Sequence, residues 1–485
     1  MPPSRRDTHV ADTASRETQD IIERYRARTP GSRALLEQAR QWLPGGDTRT
    51  INHYTPYPTF MEHGRGCRMT DVDGNEYLDF SNNMSATVHG HAHPALVAAT
   101  AQQTARSTAL GAPGRVQVEH ARLLCSRVPA MEKVRYCNSG TEATMLAIRT
   151  ARAFTGRDVI VKIDGGYHGM HDDAQINMFT GMSETPRPQE GLPERFPAAR
   201  LARGVPLSTL GDVLLLPYND FVAADELFSR CGQRIACVIV EPMLGAAGCI
   251  PAVPGYLGCL RRLTAEYGAL LVVDECATFR VGPLHQRHGV TPDLVSLSKV
   301  IGGGHPLGAF GGRADIMAVY DPARPGAVYH ASAFGGNNLS LAVGIAALTT
   351  YGPAEVAELN ETGEQLMLDV AATARAAGLR LAVTGVGSLC HLHWGEGPVR
   401  DAQDALARRT GLGDLPELLH LELMNRGIFL SRRGVFTLSL PMTREDLHYF
   451  TTAVGETLAL LKPHIARTLP HLVHDRPVGT AATAV

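Results

Sequence analysis

Leu294-Val295-Ser296-Leu297-Ser298-Lys299-Val300-Ile301-Gly302-Gly303-Gly304-His305-Pro306 is the stretch on which the reading turns. Leu294 to Leu297 predicts a buried strand. Lys299 follows almost at once, and the glycine run behind it is poor helix sequence and a poor setting for a surface lysine. In a partly apolar pocket such a lysine gives up its charge more easily, and the neutral amine attacks carbonyl groups. The plain alternative is a solvated lysine at a loop edge.

Further short apolar runs flank this one. Val134 to Cys137, Val159 to Ile163, Val213 to Leu216, Ile235 to Val240 and Ala269 to Asp274 read as strands. Glu142 to Phe154, Ala223 to Arg230 and Tyr256 to Tyr267 read as helices between them. Strands apolar on both faces, alternating with helices, imply a mostly parallel sheet covered on both sides, an α/β fold. After Leu339 the pattern changes. Helices at Leu341 to Tyr351, Glu361 to Ala376, Leu415 to Arg426 and Arg444 to Leu461 surround strands at Leu379 to Thr384, Ser388 to His393 and Val435 to Leu440. Gly64 to Asp79 alternates around an Asp73-Gly74-Asn75 turn, a hairpin signal. The expected division is a loose tail at 1–20, part of a small domain at 21–92, a large domain at 93–345, the rest of the small domain at 346–470 and a second loose tail at 471–485.

Ligands of open α/β sheets gather at the carboxyl ends of strands, and four polar clusters fall there. Asn138-Ser139-Gly140-Thr141-Glu142 opens a helix and offers free amides and hydroxyls to a phosphate. Its plain alternative is an ordinary helix cap. Gly165-Gly166-Tyr167-His168-Gly169 turns tightly and presents an aromatic face, or is simply a turn with a surface tyrosine. Asp274, ending an apolar strand, can keep a neighbouring heteroaromatic nitrogen protonated; the plain alternative, favoured for such a residue alone, is a carboxylate that caps the next helix or binds a metal. Lys299 is the fourth.

Composition excludes several classes. The chain has 485 residues, a formal net charge of -2 and 44% hydrophobic residues, so no field favours nucleic acid or an anionic membrane. Nine cysteines, none as Cys-x-x-Cys, suit reduced, buried thiols and a cytoplasmic location better than a zinc ribbon or a redox pair. No apolar run is long enough to span a bilayer, and the N-terminus lacks a signal-peptide core. His89-Gly90-His91-Ala92-His93 is a weak metal motif without a carboxylate at defined spacing, so no metal is expected.

As an ordered set, phosphate turn, aromatic turn, acid and lysine resemble the class III aminotransferases among the fold-type I enzymes that use pyridoxal 5′-phosphate (PLP). The glutamate-1-semialdehyde aminomutase branch shares Asn138-Ser-Gly-Thr-Glu-Ala-Thr-Met145 and the Lys299-Val-Ile-Gly-Gly-Gly-His-Pro306 pattern. The resemblance covers residues 30 to about 462. It implies a large, mostly parallel seven-stranded sheet domain, a smaller α+β domain built from both termini, and a homodimer with its site at the interface. It implies that Lys299 forms a Schiff base with PLP and shuttles the proton, and that Asp274 pairs with the ring nitrogen. Ser139, Gly140 and Thr141 would bind the phosphate. Tyr167 would stack on the ring beside His168, with Cys276 behind it and Glu241 nearby.

Two departures matter. The family's phosphate-binding Thr, supplied by the neighbouring subunit, is here Ala333, with Ser332 next to it as a substitute. The segment Asp274-Glu-Cys-Ala-Thr-Phe-Arg280 is one residue shorter than the usual family form. That shortening, Tyr54-Thr-Pro-Tyr-Pro58 and Ser431-Arg-Arg-Gly434 resemble the β-phenylalanine-type aminotransferases. By that resemblance Arg49 and Arg433, or Arg432 in place of Arg433, would clamp a substrate carboxylate through the planar guanidinium fork; the alternative is surface arginines. The implied activity is ping-pong transfer of an amino group between an amino acid, including β-amino acids, and a keto acid or aldehyde. An aminomutase or epimerase, and a non-catalytic relative, are the competing readings.

Overall fold

The computed structural model describes residues 16–178 and 186–474. Its strands begin with β1 (Met61–Arg65), β2 (Arg68–Asp71) and β3 (Glu76–Asp79). Then come β4 (Lys133–Cys137), β5 (Val159–Ile163), β6 (Val213–Leu216) and β7 (Ile235–Val240), and the short β8 (Met243–Leu244) and β9 (Ile250–Pro251). β10 (Leu270–Asp274), β11 (Leu294–Ser298) and β12 (Gly308–Gly312) follow. β13 (Leu381–Val386), β14 (Leu389–Trp394), β15 (Ile428–Phe429) and β16 (Val435–Thr437) close the series.

Seven strands form the central sheet in the order β4-β12-β11-β10-β7-β5-β6. The β11-β10-β7-β5-β6 neighbours are parallel, and β12 runs antiparallel to both β11 and β4. Every residue of β5, β7 and β10 is buried, as helices on both faces require. Each such Val, Leu or Ile removed from water contributes ~1.5–3 kcal/mol. β12, Gly-Ala-Phe-Gly-Gly, has no apolar run to announce it. A Cβ at Gly308 would lie 2.1 Å from the Ser139 carbonyl oxygen, so glycine is what lets β12 enter between β4 and β11.

The two ends of the chain meet in the smaller sheets. β15 pairs in parallel with β3, so residues 428–429 extend the sheet β1-β2-β3, while β13-β14-β16 forms a separate three-stranded sheet. Phe80 stacks on Phe450 with ring centroids 4.0 Å apart. Several boundaries differ from expectation. The N-terminal tail expected to residue 20 gives way to a helix at Arg16–Arg28. Ile21 and Tyr25 bury there, and the Arg24 guanidinium pairs with Glu422 at 2.6 Å. At the other end, Leu472 is buried and Val473 bridges to Leu379, so 471–474 belong to the packed chain; 475–485 lie outside the described residues. The helix expected from Glu361 starts at Pro353, with Pro at its first turn and Glu355 capping the Gly352 amide. The strand expected to Leu440 stops at Thr437, and the Leu440 amide turns away to the Val88 carbonyl at 2.8 Å. The helices Pro94–Thr104 and Arg115–Arg127 lie outside the elements that the sequence predicts. No single helix among the described residues is long and apolar enough to cross a membrane.

Candidate active site

Five strands end on one edge of the central sheet, and their carboxyl ends carry the polar clusters. β4 leads to Ser139–Thr141, β5 to Tyr167 and His168, β7 to Glu241, β10 ends in Asp274, and β11 leads to Lys299. Register fixes their neighbours: Asp274 stands opposite Ser296, and both Cys137 and Ser298 stand opposite Gly308.

Asp274 is the best-held group. It is 3% exposed and accepts three hydrogen bonds: from His168 Nδ1 at 2.8 Å, Ser296 Oγ at 2.9 Å and the Cys276 amide at 3.0 Å. Burial alone would raise its pKa, but the His168 ring and the Cys276 amide outweigh burial and hold the carboxyl below its ordinary value. Burial lowers the His168 pKa, and its Nδ1 faces the carboxylate as a hydrogen-bond donor. His168 thus backs Asp274 instead of facing the sheet edge on its own.

Glu241 lies beside this pair. Its carboxylate accepts from the Tyr167 amide at 2.9 Å and the Gly245 amide at 3.1 Å. Burial, followed by the charge of Asp274, pushes its pKa up to about 8, against the pull of those amides and of Lys299. Two carboxyl groups are thereby split into an ionised Asp274 and a protonated Glu241 at neutral pH. Burial raises the Tyr167 phenol, with Asp274, Glu241 and Cys276 adding to it. Burial also drives the Cys276 thiol well up, so Cys276 stands as a neutral wall. Lys299 is half-buried, with φ +56°, a left-handed conformation rare for a side chain of this kind.

The phosphate-type turn is open. Ser139 caps the helix Gly140–Thr155 by accepting from the Glu142 amide at 3.2 Å, and Thr141 Oγ1 accepts from the Met170 amide at 3.3 Å. A Cβ at Gly140 would come within 3.1 Å of Cys276 Sγ and 3.3 Å of Ser298 Cβ, so glycine keeps a space between the helix start and Cys276. Amides at a 16-residue helix start, an ionised buried acid and a lysine at the next strand end form a donor set that fits PLP: anion at the helix, ring nitrogen at Asp274, aldehyde at Lys299.

Ser332 is exposed, accepting from Asn138 Nδ2 at 3.0 Å and the Gly335 amide at 2.9 Å, which places its loop against the helix start of its own chain. Ala333 is exposed beside it. Arg49 is exposed and donates to Asn83 Oδ1 at 2.9 Å. Arg433 is half-buried, donates to the Ala246 carbonyl at 2.8 Å, and is pushed down to about 10 by burial and the nearby Arg409 and Arg432. Arg432 pairs with Glu417 at 2.8 Å. His89 and His91 bond to Ala347 and Asp79 respectively, and no group of three or more His, Cys, Asp or Glu able to hold a metal occurs among the described residues.

The sequence reading missed Ser296, Arg280 and Asn83. Alternation along β11 could have pointed to Ser296, which shares a face with Ser298. Arg280 is 0% exposed, and among the described residues its acceptors are neutral: the Ser85 carbonyl, the Leu438 carbonyl and Ser388 Oγ. Asn82, Asn83, Met84 and Ser85 all have positive φ. Four such residues in sequence store strain, ~1–2 kcal/mol for each one outside glycine, and strain of this kind gathers at functional sites.

Comparison with known proteins bears on this geometry. The family model "Aminotransferase class-III" matches residues 50–411. A β-phenylalanine transaminase from Variovorax paradoxus is 37% identical over 439 residues, 90% of this chain and 94% of that protein. A glutamate-1-semialdehyde 2,1-aminomutase from Sorangium cellulosum is 36% identical, over 89% of this chain and 97% of that protein. Among solved structures, an ω-transaminase from Sphaerobacter thermophilus superposes with a TM-score of 0.84 at 37% identity, covering 90% of this chain and 99% of that one.

Proposed function

The chain belongs to the class-III aminotransferase family and is a PLP-dependent transaminase; we propose that its donor is a β-amino acid and its acceptor a 2-oxo acid or aldehyde. The observation that carries the reading is Asp274, held ionised by three donors, one strand away from Lys299. The relative from Variovorax paradoxus and the pair Arg49 and Arg433 favour the β-amino position.

Bound PLP supplies an aldehyde that captures amines and a protonated ring that draws electrons from the donor carbon. Asp274 keeps a proton on the ring nitrogen, and His168 and Ser296 keep Asp274 in place. The amides and hydroxyls of Ser139, Gly140 and Thr141 hold the phosphate. Tyr167 and Cys276 would line the space for the ring with an aromatic side chain and a neutral thiol. Lys299 Nζ would hold the cofactor's aldehyde end, and as a free amine it would serve as the base for the proton on the carbon bearing the donor's amine. Protonated Glu241 fixes the Tyr167 loop without adding a second negative charge beside Asp274. Arg49 and Arg433 orient the donor carboxylate, each through a bidentate fork.

We further propose a homodimer in the cytoplasm. Leu110, Val118, Tyr329 and Phe334 are 58–86% exposed. Their segments are joined by the Leu339 amide to the Thr108 carbonyl and by Gln117 to the Gly336 carbonyl. An apolar surface of this kind beside the Ser332 loop fits a subunit contact. All nine cysteines are unpaired and none is exposed, which suits a reducing compartment.

A panel of α-, β- and ω-amines, each with and without a 2-oxo acid, tests the reading. Product formation from a β-amino acid only when the acceptor is present is expected. Conversion of a single substrate with no acceptor would favour the aminomutase alternative.

A further inference from the structure

Arg49 is exposed, and its side chain donates to Asn83 Oδ1 at 2.9 Å. Asn83 lies in the left-handed run Asn82–Ser85, with φ of 48°, 47°, 57° and 71°. Nothing local favours that run at Met84 or Ser85; the surroundings impose it. Three contacts do so. The Asn82 amide donates to Asp79 Oδ1 at 2.8 Å, and Asp79 Oδ2 is held by His91 at 2.8 Å. Asn82 Nδ2 donates to the Thr437 carbonyl at 2.8 Å and Thr437 Oγ1 at 2.9 Å, tying the turn to β16. The Ser85 carbonyl accepts from Arg280 Nη1 at 3.1 Å.

Arg280 connects this turn to the cofactor strand. It lies six residues past Asp274, is fully buried, and reaches three segments far apart in sequence: Ser85, Ser388 and Leu438. A buried guanidinium with neutral acceptors only is costly, and its recoverable gain here is geometric. It fixes the turn bearing Asn83 relative to the strand bearing Asp274.

We propose that Asn83, on the left-handed turn clamped by Arg280, is a positioning residue that aims the Arg49 guanidinium and thereby sets selectivity for carboxylate-bearing donors. Asn83 engages one N–H of Arg49 and leaves the remaining donors of the fork to a substrate carboxylate. Holding the long side chain in advance removes part of its ordering cost on binding. The proposal rests on the reading of Arg49 as a carboxylate ligand.

The test uses the full-length holoenzyme and two probes, 3-phenylpropanoate and its neutral primary amide, with affinities measured by calorimetric titration. The wild-type protein prefers the carboxylate. Arg49→Ala abolishes the preference. Asn83→Gly, which suits the positive φ, reduces it about tenfold, as for loss of one hydrogen bond to a charged group. Asn83→Asp, which places a competing carboxylate on Arg49, reduces it further. The affinity for the amide moves little in each case, and the melting temperature of Asn83→Gly stays near that of wild type, which a merely structural role would not give. An unchanged preference in Arg49→Ala overturns the reading of Arg49 and the proposal with it. Loss in Arg49→Ala with no loss in Asn83→Gly overturns the proposal alone. So does a stronger preference in Asn83→Gly, which would make the tether a competitor of the substrate.

Discussion

His168 Nδ1 stands 2.8 Å from Asp274 Oδ2, both residues almost fully buried, and together with the Cys276 amide this contact offsets the burial that would otherwise raise the pKa of the carboxyl. Removing the ring by His168→Ala should let the Asp274 pKa rise and weaken its grip on a protonated ring nitrogen. A charge-assisted hydrogen bond is worth about 1.5–3 kcal/mol, so PLP affinity should fall about tenfold or more. Titration of the apoprotein with PLP measures this. His168→Asn, which keeps a donor, should recover part of the loss.

Gly140 makes a steric prediction. In Gly140→Ala the new methyl group meets Cys276 Sγ at 3.1 Å and Ser298 Cβ at 3.3 Å, filling space beside the phosphate turn. PLP retention should fall while the helix Gly140–Thr155, which gains an alanine, remains stable. Adding Cys276→Ala removes the closer obstacle and should restore part of the retention. Equal retention in Gly140→Ala and wild type after dialysis would place the phosphate elsewhere.

We propose that Ser332 stands in for the phosphate-binding threonine whose position Ala333 takes. Ser332 Oγ is occupied by Asn138 and the Gly335 amide, yet a hydroxyl can still donate its own proton. Ser332→Ala should hasten PLP loss on dialysis, and Ala333→Thr should slow it about tenfold, the scale of one charge-assisted bond. Retention unaffected by Ser332→Ala would show that Ser332 does not replace the missing threonine.

Glu241 gives a pH signature. Its pKa rises from an ordinary 4.5 to about 8 in the fold, chiefly through burial and Asp274. Between those values the folded protein holds a proton that the unfolded chain has released. Its contribution to stability is therefore present at acid pH and is lost as pH climbs to about 8. The melting temperature of the apoprotein should decline across about pH 5 to pH 8, and Glu241→Gln should flatten that decline. A parallel decline in the variant would assign the effect to other groups.

Much of this architecture is written locally in the chain. The strand ends at Cys137, Ile163, Val240, Asp274 and Leu297 are legible because apolar runs stop at polar residues there. Lys299 and Asp274 are legible because they end such runs. β12 is not, since Gly308–Gly312 trades side chains for close approach to its neighbours. Nor is the pairing of β3 with β15, which joins residues some 350 positions apart. The helix at Arg16–Arg28 looks polar in isolation and is held by its packing on residues 415–425. At the site, the sequence carries the residues that end strands but not those that support them from elsewhere. Ser296 on Asp274, Arg280 on Ser85 and Asn83 under Arg49 depend on tertiary contacts with no local pattern.

Lysine is scarce in this chain, occurring at Lys133, Lys162, Lys299 and Lys462, which makes the central claim sharply testable. Borohydride reduction of the PLP-loaded enzyme followed by peptide mass mapping should find the pyridoxyl group on Lys299, and Lys299→Ala should abolish the label. A label on Lys162, the fully buried lysine of β5, or on either remaining lysine with Lys299 unmodified, would contradict the account.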